Sequence, residues 1–142
     1  SRSSAAIIDQ QKKNTSSGNE KAIEAMHRIK RSAIDMKFAL LKGDMQEFAR
    51  ILGEGWEDKK KMADAITNPM IQNVFDTAMS AGALAGKVSG AGGGGFVMLM
   101  VEPTRKKEVI DALNRLDGFV MPFQFTEGGA HGWRIYSTDK VK

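Results

Sequence analysis

A cluster of glycines constrains this chain more than any other feature. Seven of the fourteen residues from 82 to 95 are glycine, including five of the six from 90 to 95. Each glycine held in a fixed conformation costs about 0.5 to 1 kcal/mol relative to alanine, so an ordered loop of this kind must have a use. The alternative is a flexible linker, but linkers usually carry Ser and charged residues. This cluster runs directly into the apolar residues 96–101, which favours an ordered loop that a ligand or another backbone approaches closely.

The glycine cluster matches neither of two common nucleotide-binding patterns. Residues 90–95 satisfy G-x-G-x-x-G, but the dinucleotide fingerprint opens a helix, and here it precedes an apolar strand. Residues 82–87 have too few spacers for a Walker loop, and Val88 stands where Ser or Thr would hold Mg²⁺. One general property remains: a turn without side chains can direct several backbone N–H groups into one concavity, which favours phosphate oxygens. Lys87 would add a positive charge beside it.

Helical periodicity dominates the first half of the chain. Apolar residues recur at steps of three and four, which predicts three amphipathic helices. The predicted helices cover residues 19–42, 44–66 and 68–82. Asn68-Pro69 has the form of an N-cap followed by a first-turn proline. Before them, residues 1–18 form a leading segment whose apolar residues 5–8 predict packing against another surface, with fraying at its start.

The sequence pattern changes after residue 84. Apolar runs predict four strands, with a fourth helix over residues 103–118 between the second and the third. The predicted strands cover residues 85–89, 96–101, 119–125 and 133–136. Pro122 restricts the third strand to a sheet edge or a bulge. The sequence therefore predicts an α+β fold: a four-stranded antiparallel sheet with about four helices.

Composition excludes several classes of function. The net charge is +4 and each basic cluster has acids nearby, which indicates solvated helix faces rather than a nucleic-acid-binding stripe. The absence of cysteine excludes disulfides, thiolate metal sites and a cysteine nucleophile. The longest apolar run has six residues, whereas a bilayer requires roughly twenty. We therefore expect no nucleic-acid partner, no membrane partner and no metal site in this chain.

Residues 87–96 resemble the third, C-terminal motif of the GHMP kinases, a superfamily that includes galactokinase and the homoserine, mevalonate and phosphomevalonate kinases. They read KVSGAGGGGF, which is a long motif of unusual composition. Other stretches resemble one branch, the bacterial D-glycero-D-manno-heptose 7-phosphate kinase type of sugar kinase, although fucose-type sugar kinases share much of the pattern. These stretches are residues 1–4 (SRSS), 56–60 (WEDKK), 68–69 (NP) and 123–129 (FQFTEGG).

The resemblance implies a ferredoxin-like C-terminal domain of a cytoplasmic, ATP-dependent kinase for a sugar phosphate. ATP and Mg²⁺ would be bound mainly by an N-terminal domain of the same protein, through a P-x-x-x-G-L-G-S-S loop that this sequence lacks. The glycine loop would face the cleft between the domains and help to enclose the transferred phosphoryl group. A chain that opens without Met fits such a piece. On its own it is expected to be inactive, and it would supply no catalytic residue.

The resemblance also singles out candidate site residues. Those expected near the nucleotide phosphates are Lys87, Ser89, Gly90, Ala91, Gly92, Gly93 and Gly94. Those expected to contact the substrate are Arg2, Trp56, Lys59 and Lys60; the spacing of the last three places them on one helix face, which suits an anionic phosphosugar. Each group has a structural alternative. Lys87 and Ser89 would also suit a strand end, and Trp56 would also suit a buried position followed by ordinary surface lysines.

A second function from a different class stays open at this point. The chain would also fit a freestanding ferredoxin-like regulatory module that binds a small anionic metabolite, or self-associates, through its glycine loop. The sequence leaves open whether the protein is an oligomer, which sugar it would act on and which hydroxyl it would phosphorylate.

Overall fold

The computed structural model describes residues 4–134. In this part of the chain, five α-helices accompany one two-stranded sheet. The elements in chain order are α1 (Ser4–Ser16), α2 (Glu20–Lys42), α3 (Met45–Lys60), a 3₁₀ turn (Asp64–Ile66), α4 (Pro69–Ser80), β1 (Ala83–Val88), β2 (Val97–Val101), a second 3₁₀ turn (Pro103–Arg105) and α5 (Lys106–Leu113).

The ends of α2 and α3 follow from local capping chemistry. The Asn19 side chain accepts a hydrogen bond from the Ala22 N–H at the start of α2. Gly43 ends that helix in the left-handed conformation, with φ of 70°, which glycine adopts at little cost. Asp44 then accepts from the Glu47 N–H and begins α3. Because the connection is so short, α2 and α3 pack against each other as a helical hairpin.

Strands β1 and β2 form an antiparallel hairpin. Val88 lies opposite Val97, and Ala85 lies opposite Met100, with a register shift between Ala83 and Ala85. These bounds lie within about two residues of the first two strands expected from the sequence. Residues 89–96 join the two strands and contain five of the glycines of the cluster; we call this segment the glycine loop.

The main hydrophobic core lies beneath the end of β1. Its buried members come from α1, α3, α4, β1 and the segment between α3 and α4: Ile7, Trp56, Ala63, Ile66, Ile71, Phe75 and Val88. Trp56 and Phe75 stack with ring centroids 5.3 Å apart and planes 8° apart, and Ile66 and Val88 are fully buried. Burial of one such side chain contributes about 1.5 to 3 kcal/mol. The core therefore supports the chain directly before the glycine loop begins.

The prediction of a four-stranded sheet is wrong, because the described residues contain a sheet of two strands. Residues 119–125 form no strand, and their phenylalanines are exposed, Phe125 by 91%. Alternating apolar residues form a strand only where a neighbouring strand pairs with the backbone and other side chains cover one face. Pro122 in addition has no backbone N–H to donate to such a neighbour. The predicted last strand, 133–136, lies partly outside the described residues, and residues 133 and 134 are not in a strand.

The helices differ from the prediction in number and in length. The leading segment forms a whole helix, α1, and Ile7 from it enters the main core. The predicted helix over 44–66 stops at Lys60, because Ala63 is extended, with φ of −164°, before the 3₁₀ turn Asp64–Ile66. The α+β class remains as predicted. Among residues 4–134, no helix combines the length and the apolar composition that crossing a membrane requires.

A buried carboxylate joins α2 to α3. Asp58 is 6% exposed, and its Oδ1 accepts hydrogen bonds from Arg28 Nε at 2.9 Å and from Lys61 Nζ at 2.8 Å. Burial alone would raise the pKa of Asp58, but the hydrogen bonds from Lys61 and Arg28 outweigh it and hold the pKa below its ordinary value. The ion pair therefore stabilises the fold wherever Asp58 is ionised.

We expect Asp58→Asn to lower the free energy of unfolding at pH 7 by about 1 to 3 kcal/mol, because the two cations lose their buried partner. A carboxylate whose folded-state pKa is depressed contributes stability above its unfolded pKa of about 4, and this contribution is lost as the pH falls through the folded value. Urea unfolding from pH 7 to pH 3 should therefore show the difference between the two proteins shrinking in acid.

The control for this experiment is Asp111→Asn, which removes the exposed pair with Lys107 on α5 and should have little effect at pH 7. A difference between Asp58→Asn and the original chain that stayed constant down to pH 3 would contradict the assignment.

Candidate functional site

The glycine loop has a defined backbone that requires glycine. The Ser89 N–H donates to the Phe96 carbonyl at 2.8 Å and closes the base of the loop. Inside it, φ is positive at five glycines, in the left-handed region that L side chains rarely adopt. They are Gly90 (80°), Gly92 (110°), Gly93 (76°), Gly94 (152°) and Gly95 (92°). The glycine content of the sequence is therefore explained first by the path of the backbone.

The middle of the loop packs on the 3₁₀ turn Asp64–Ile66. The Gly93 N–H donates to the Ile66 carbonyl at 2.8 Å. A Cβ atom on Gly92 would lie 2.8 Å from the same carbonyl oxygen and 2.9 Å from Ile66 Cα, and one on Gly93 would lie 2.7 Å from the Ile7 side chain. These separations are shorter than real Cβ contacts. The loop is thus held against its support by backbone contact, unlike a linker.

Asn68 joins the loop to the start of α4. Its side-chain Oδ1 accepts from the Ile71 N–H at 3.0 Å, which caps the helix, and its Nδ2 donates to the Gly93 carbonyl at 3.2 Å. Gly93 therefore has both of its backbone polar groups bonded to the segment that precedes α4. One side chain couples the position of the loop to the position of the helix.

The other amides of the loop are open. Within residues 4–134, hydrogen bonds from the loop backbone N–H groups involve Ser89 and Gly93, while those of Gly90, Ala91, Gly92 and Gly94 have no protein acceptor. Gly90 and Gly94 are exposed, and Ala91 and Gly92 are half-buried. Unpaired N–H groups on a backbone of fixed shape are donors that an anion can use without rearrangement of the chain.

Two lysines from different elements lie at one end of the loop. Lys59, in the last turn of α3, donates from Nζ to the Gly90 carbonyl. Lys87 lies on β1, two residues before the loop. Lys59 and Lys87 are both half-buried. Burial lowers the pKa of Lys59, and the positive charge of nearby Lys87 lowers it further. Lys59 therefore contacts the loop directly, and Lys87 lies in the strand that leads into it.

The other candidate substrate residues lie elsewhere. Trp56 is 5% exposed and stacks on Phe75 in the core, as the packing interpretation expects. The Lys60 Nζ lies 2.6 Å from the Glu57 carboxylate, and both Lys60 and Trp56 line a depression of about 310 Å³ beside β1. Arg2 lies outside the described residues.

Two contributions to the site were missed by reasoning from the sequence. The Ile66 carbonyl and the Ile7 side chain support the loop, but no local pattern marks a backbone acceptor or links it to a glycine many residues later. The sequence identifies Asn68 as a helix cap and as part of a stretch that resembles the heptose kinase branch, but it does not indicate a contact with the loop. Its second hydrogen bond follows from the position of the loop, which the sequence does not give.

Fold and site together define a class of protein: an α+β domain whose strand hairpin carries an ordered glycine loop with open backbone N–H groups. The family described as GHMP kinases, C terminal, matches residues 36–117, which is more than half of the chain. The chain therefore belongs to the GHMP kinase C-terminal family. The glycine loop and its support, the turn Asp64–Ile66, both lie inside the matched region.

Curated relatives of the chain are sugar kinases by name. The chain is 44% identical over 118 residues to a D-glycero-alpha-D-manno-heptose 7-phosphate kinase of Campylobacter jejuni, a match that covers 83% of this chain and 35% of the relative. It is 29% identical over 80 residues to an L-fucokinase/L-fucose-1-P guanylyltransferase of Bacteroides fragilis, covering 56% of this chain and 8% of the relative. The chain thus spans about a third, or less, of the relatives that it matches.

Solved structures show the same fold. A crystal structure of L. major mevalonate kinase in complex with R-mevalonate superposes with a TM-score of 0.72 at 19% identity, over 81% of this chain and 35% of the other. A Campylobacter jejuni structure described as that of a sugar kinase superposes with a TM-score of 0.60 at 44% identity, over 79% of this chain and 34% of the other. Because its identity is 19%, the likeness to mevalonate kinase concerns the fold alone.

The close approach of Gly92 to Ile66 can be tested with two alanine variants. Gly92 and Gly90 both have positive φ, but a Cβ on Gly90 would meet no atom within 4 Å. Gly90→Ala should lower the free energy of unfolding by about 1 to 2 kcal/mol from backbone strain alone. Gly92→Ala should lower it by about 2 kcal/mol more, because the turn must move. Urea unfolding measures both, and equal losses would show that the contact with Ile66 is unimportant.

The two hydrogen bonds of Asn68 can be separated by substitution. Asn68→Asp keeps an acceptor that caps α4 but removes the donor to Gly93, whereas Asn68→Ala removes both. We expect the Ala variant to lose about 1 to 2 kcal/mol of stability and the Asp variant to lose less. In both, hydrogen exchange at the Gly93 N–H should accelerate, because the loop opens more often. Unchanged exchange in Asn68→Asp would mean that Asn68 does not hold the loop.

Proposed function

We propose that this chain is the C-terminal domain of an ATP-dependent kinase that phosphorylates a sugar phosphate of the heptose phosphate class. The observation that supports this most directly is the glycine loop, whose rigid backbone offers open N–H groups in a chain of the GHMP kinase C-terminal family. The 44% identity to a heptose 7-phosphate kinase supports the substrate class. Because the matched relatives are kinases by name, they favour an enzyme over a freestanding regulatory module.

In this proposal the loop acts on charge and position. Phosphoryl transfer needs the reacting groups to be aligned and the charge on the phosphoryl oxygens to be stabilised, with little covalent help from the protein. The open N–H groups of the loop would donate to those oxygens across a cleft between this domain and an N-terminal domain; they belong to Gly90, Ala91, Gly92 and Gly94. Since the contacts with Ile66 and Asn68 already fix the loop, it need not reorganise during the reaction.

The residues of this chain fit the phosphates of ATP better than they fit Mg²⁺. Open N–H groups and two lysines are suitable partners for phosphate oxygens. Mg²⁺ prefers carboxylate oxygens, and among residues 4–134 no three Asp, Glu or His side chains converge into a metal-binding group. The resemblance to the GHMP kinases implies that an N-terminal domain supplies the Mg²⁺ ligands, the catalytic base and most ATP contacts, and the proposal adopts this division. A cytoplasmic location is part of the same proposal.

A kinase assay on the complete protein that contains residues 1–142 tests this function. We expect ATP-dependent phosphorylation of D-glycero-D-manno-heptose 7-phosphate, followed by ADP release, and much slower turnover of fucose or mevalonate. A failure to phosphorylate any heptose or hexose phosphate would refute the proposed activity.

The role of the loop is tested in the same assay with Gly94→Val. A Cβ on Gly94 would meet no atom within 4 Å, but the φ of 152° strains any side chain there. The domain should therefore fold, with a strained loop whose new side chain obstructs an approaching phosphate. We expect kcat to fall about tenfold or more. Gly118→Val is the matched control, because Gly118 also has a positive φ, of 135°, lies outside the loop, and an added Cβ would meet no atom within 4 Å. A folded Gly94→Val enzyme with unchanged kcat would place the loop away from the reaction.

A further inference from the structure

Helix α2 buries small side chains and exposes large ones. Its buried residues are Ala22, Ala25 and Ala39. On the opposite side of the helix, Ile34 is 54% exposed, Phe38 53% and Leu41 72%. Because an α-helix has about 3.6 residues per turn, these three side chains form one row, which we call the outer stripe. A contiguous row of large apolar side chains, unlike scattered ones, indicates an interaction surface.

The outer stripe lies at the end of the α2–α3 hairpin that is remote from the glycine loop. At the near end, Lys59 contacts the loop, and Arg28 of α2 pairs with Asp58 beside it. At the far end, Gln46 in the first turn of α3 donates to Glu102, directly after β2. The stripe belongs to the half of α2 that leads into this far end, and α3 with its 16 residues is about 24 Å long. A domain that faces the glycine loop across a cleft would therefore leave the stripe uncovered.

The stripe has the spacing of a helix-packing surface. Apolar anchors at positions i, i+4 and i+7 fit against the apolar face of another helix. A second copy of the chain presents such a face with the same spacing. When two copies of α2 pack antiparallel across a two-fold axis at Phe38, the two Phe38 rings meet, and Ile34 of each copy lies opposite Leu41 of the other.

Charges beside the stripe complement each other in this arrangement. Asp35 and Lys42 lie on the same flank of the stripe, and both are exposed. Within residues 4–134 neither of them forms an ion pair. In an antiparallel pair the same flanks of the two helices meet in opposite directions, so Asp35 of each copy lies beside Lys42 of the other. On the other flank the two copies of Lys37 come near each other, which costs little because both side chains end in water.

We propose that this chain self-associates as an antiparallel two-fold dimer through the outer stripe of α2. One helix from each copy forms an interface in the range below about 1,200 Å² of total area, which is typical of weak association. The dissociation constant is therefore expected in the micromolar range. Such a dimer does not require the proposed kinase function, since the glycine loop lies at the far end of the hairpin.

Sedimentation velocity of the complete protein that contains residues 1–142 tests the dimer. We expect the average mass to rise towards that of a dimer as the concentration passes through the micromolar range. Phe38→Glu should raise the dissociation constant about tenfold or more, because a charge replaces the central apolar anchor. Met70→Glu is the matched control, because Met70 is 71% exposed but lies on α4. A protein that stays monomeric, or equal effects of the two substitutions, would show that the proposal is wrong.

Two charge reversals test the antiparallel orientation. Asp35→Lys and Lys42→Asp should each raise the dissociation constant about threefold or more, since like charges then meet twice. An equimolar mixture of the two variants should associate about as well as the original protein, because each altered residue then meets an opposite charge. A mixture that associates no better than either variant alone would exclude this dimer.

Urea unfolding distinguishes a second copy from a cover supplied by the same protein. The stripe is exposed in this domain, so Phe38→Glu should leave the midpoint of unfolding unchanged at concentrations where the protein is monomeric. If the substitution lowers the midpoint of a protein that stays monomeric, another part of the same protein covers the stripe, and the dimer is refuted.

Discussion

The contact between the glycine loop and the turn Asp64–Ile66 is the constraint on which the rest of the site depends. The Gly93 N–H bonds to the Ile66 carbonyl, and the Gly92 backbone lies so close to Ile66 that a single added methyl group would not fit. Ile66 is itself fully buried, so the support is as rigid as the core. A loop held in this way keeps its open N–H groups in fixed positions, which is what allows them to act as preorganised donors.

The segment between α3 and α4 organises everything around that contact. Lys59, in the last turn of α3, donates to the Gly90 carbonyl, and the Ile66 carbonyl accepts from the Gly93 N–H. Asn68 caps α4 and donates to the Gly93 carbonyl. Two side chains and one backbone carbonyl, all within ten residues of sequence, thus contact one hairpin loop. Since Trp56 and Phe75 stack beneath them, the two helices that carry these groups are locked together, and the spacing between Lys59 and Asn68 is set by the core.

Local features of this fold were predictable from the sequence, and long-range ones were not. The bounds of α2, and the start of α3 and α4, follow from caps at Asn19, Asp44 and Asn68 that act within four residues. The glycine loop was recognisable because its composition is extreme. The strand expected at residues 119–125 failed because alternation indicates a strand only where tertiary structure provides a pairing partner and a covered face. Helical spacing could not separate Lys59 from Lys60, since which one meets the loop depends on where the hairpin lies.

The composition of the loop reflects a balance between stability and access. Each of the five ordered glycines with positive φ lowers the stability of the fold by about 0.5 to 1 kcal/mol relative to alanine. The reason is that glycine loses more conformational entropy than alanine when the chain folds. Residues with side chains would avoid that cost, but at Gly92 and Gly93 they would push the loop off Ile66 and Ile7. At Gly90 and Gly94 there is room for a side chain, so packing does not explain glycine there. The backbone path requires glycine at both positions, since φ is 80° at Gly90 and 152° at Gly94. Glycine there also leaves the approach to the open amides unobstructed.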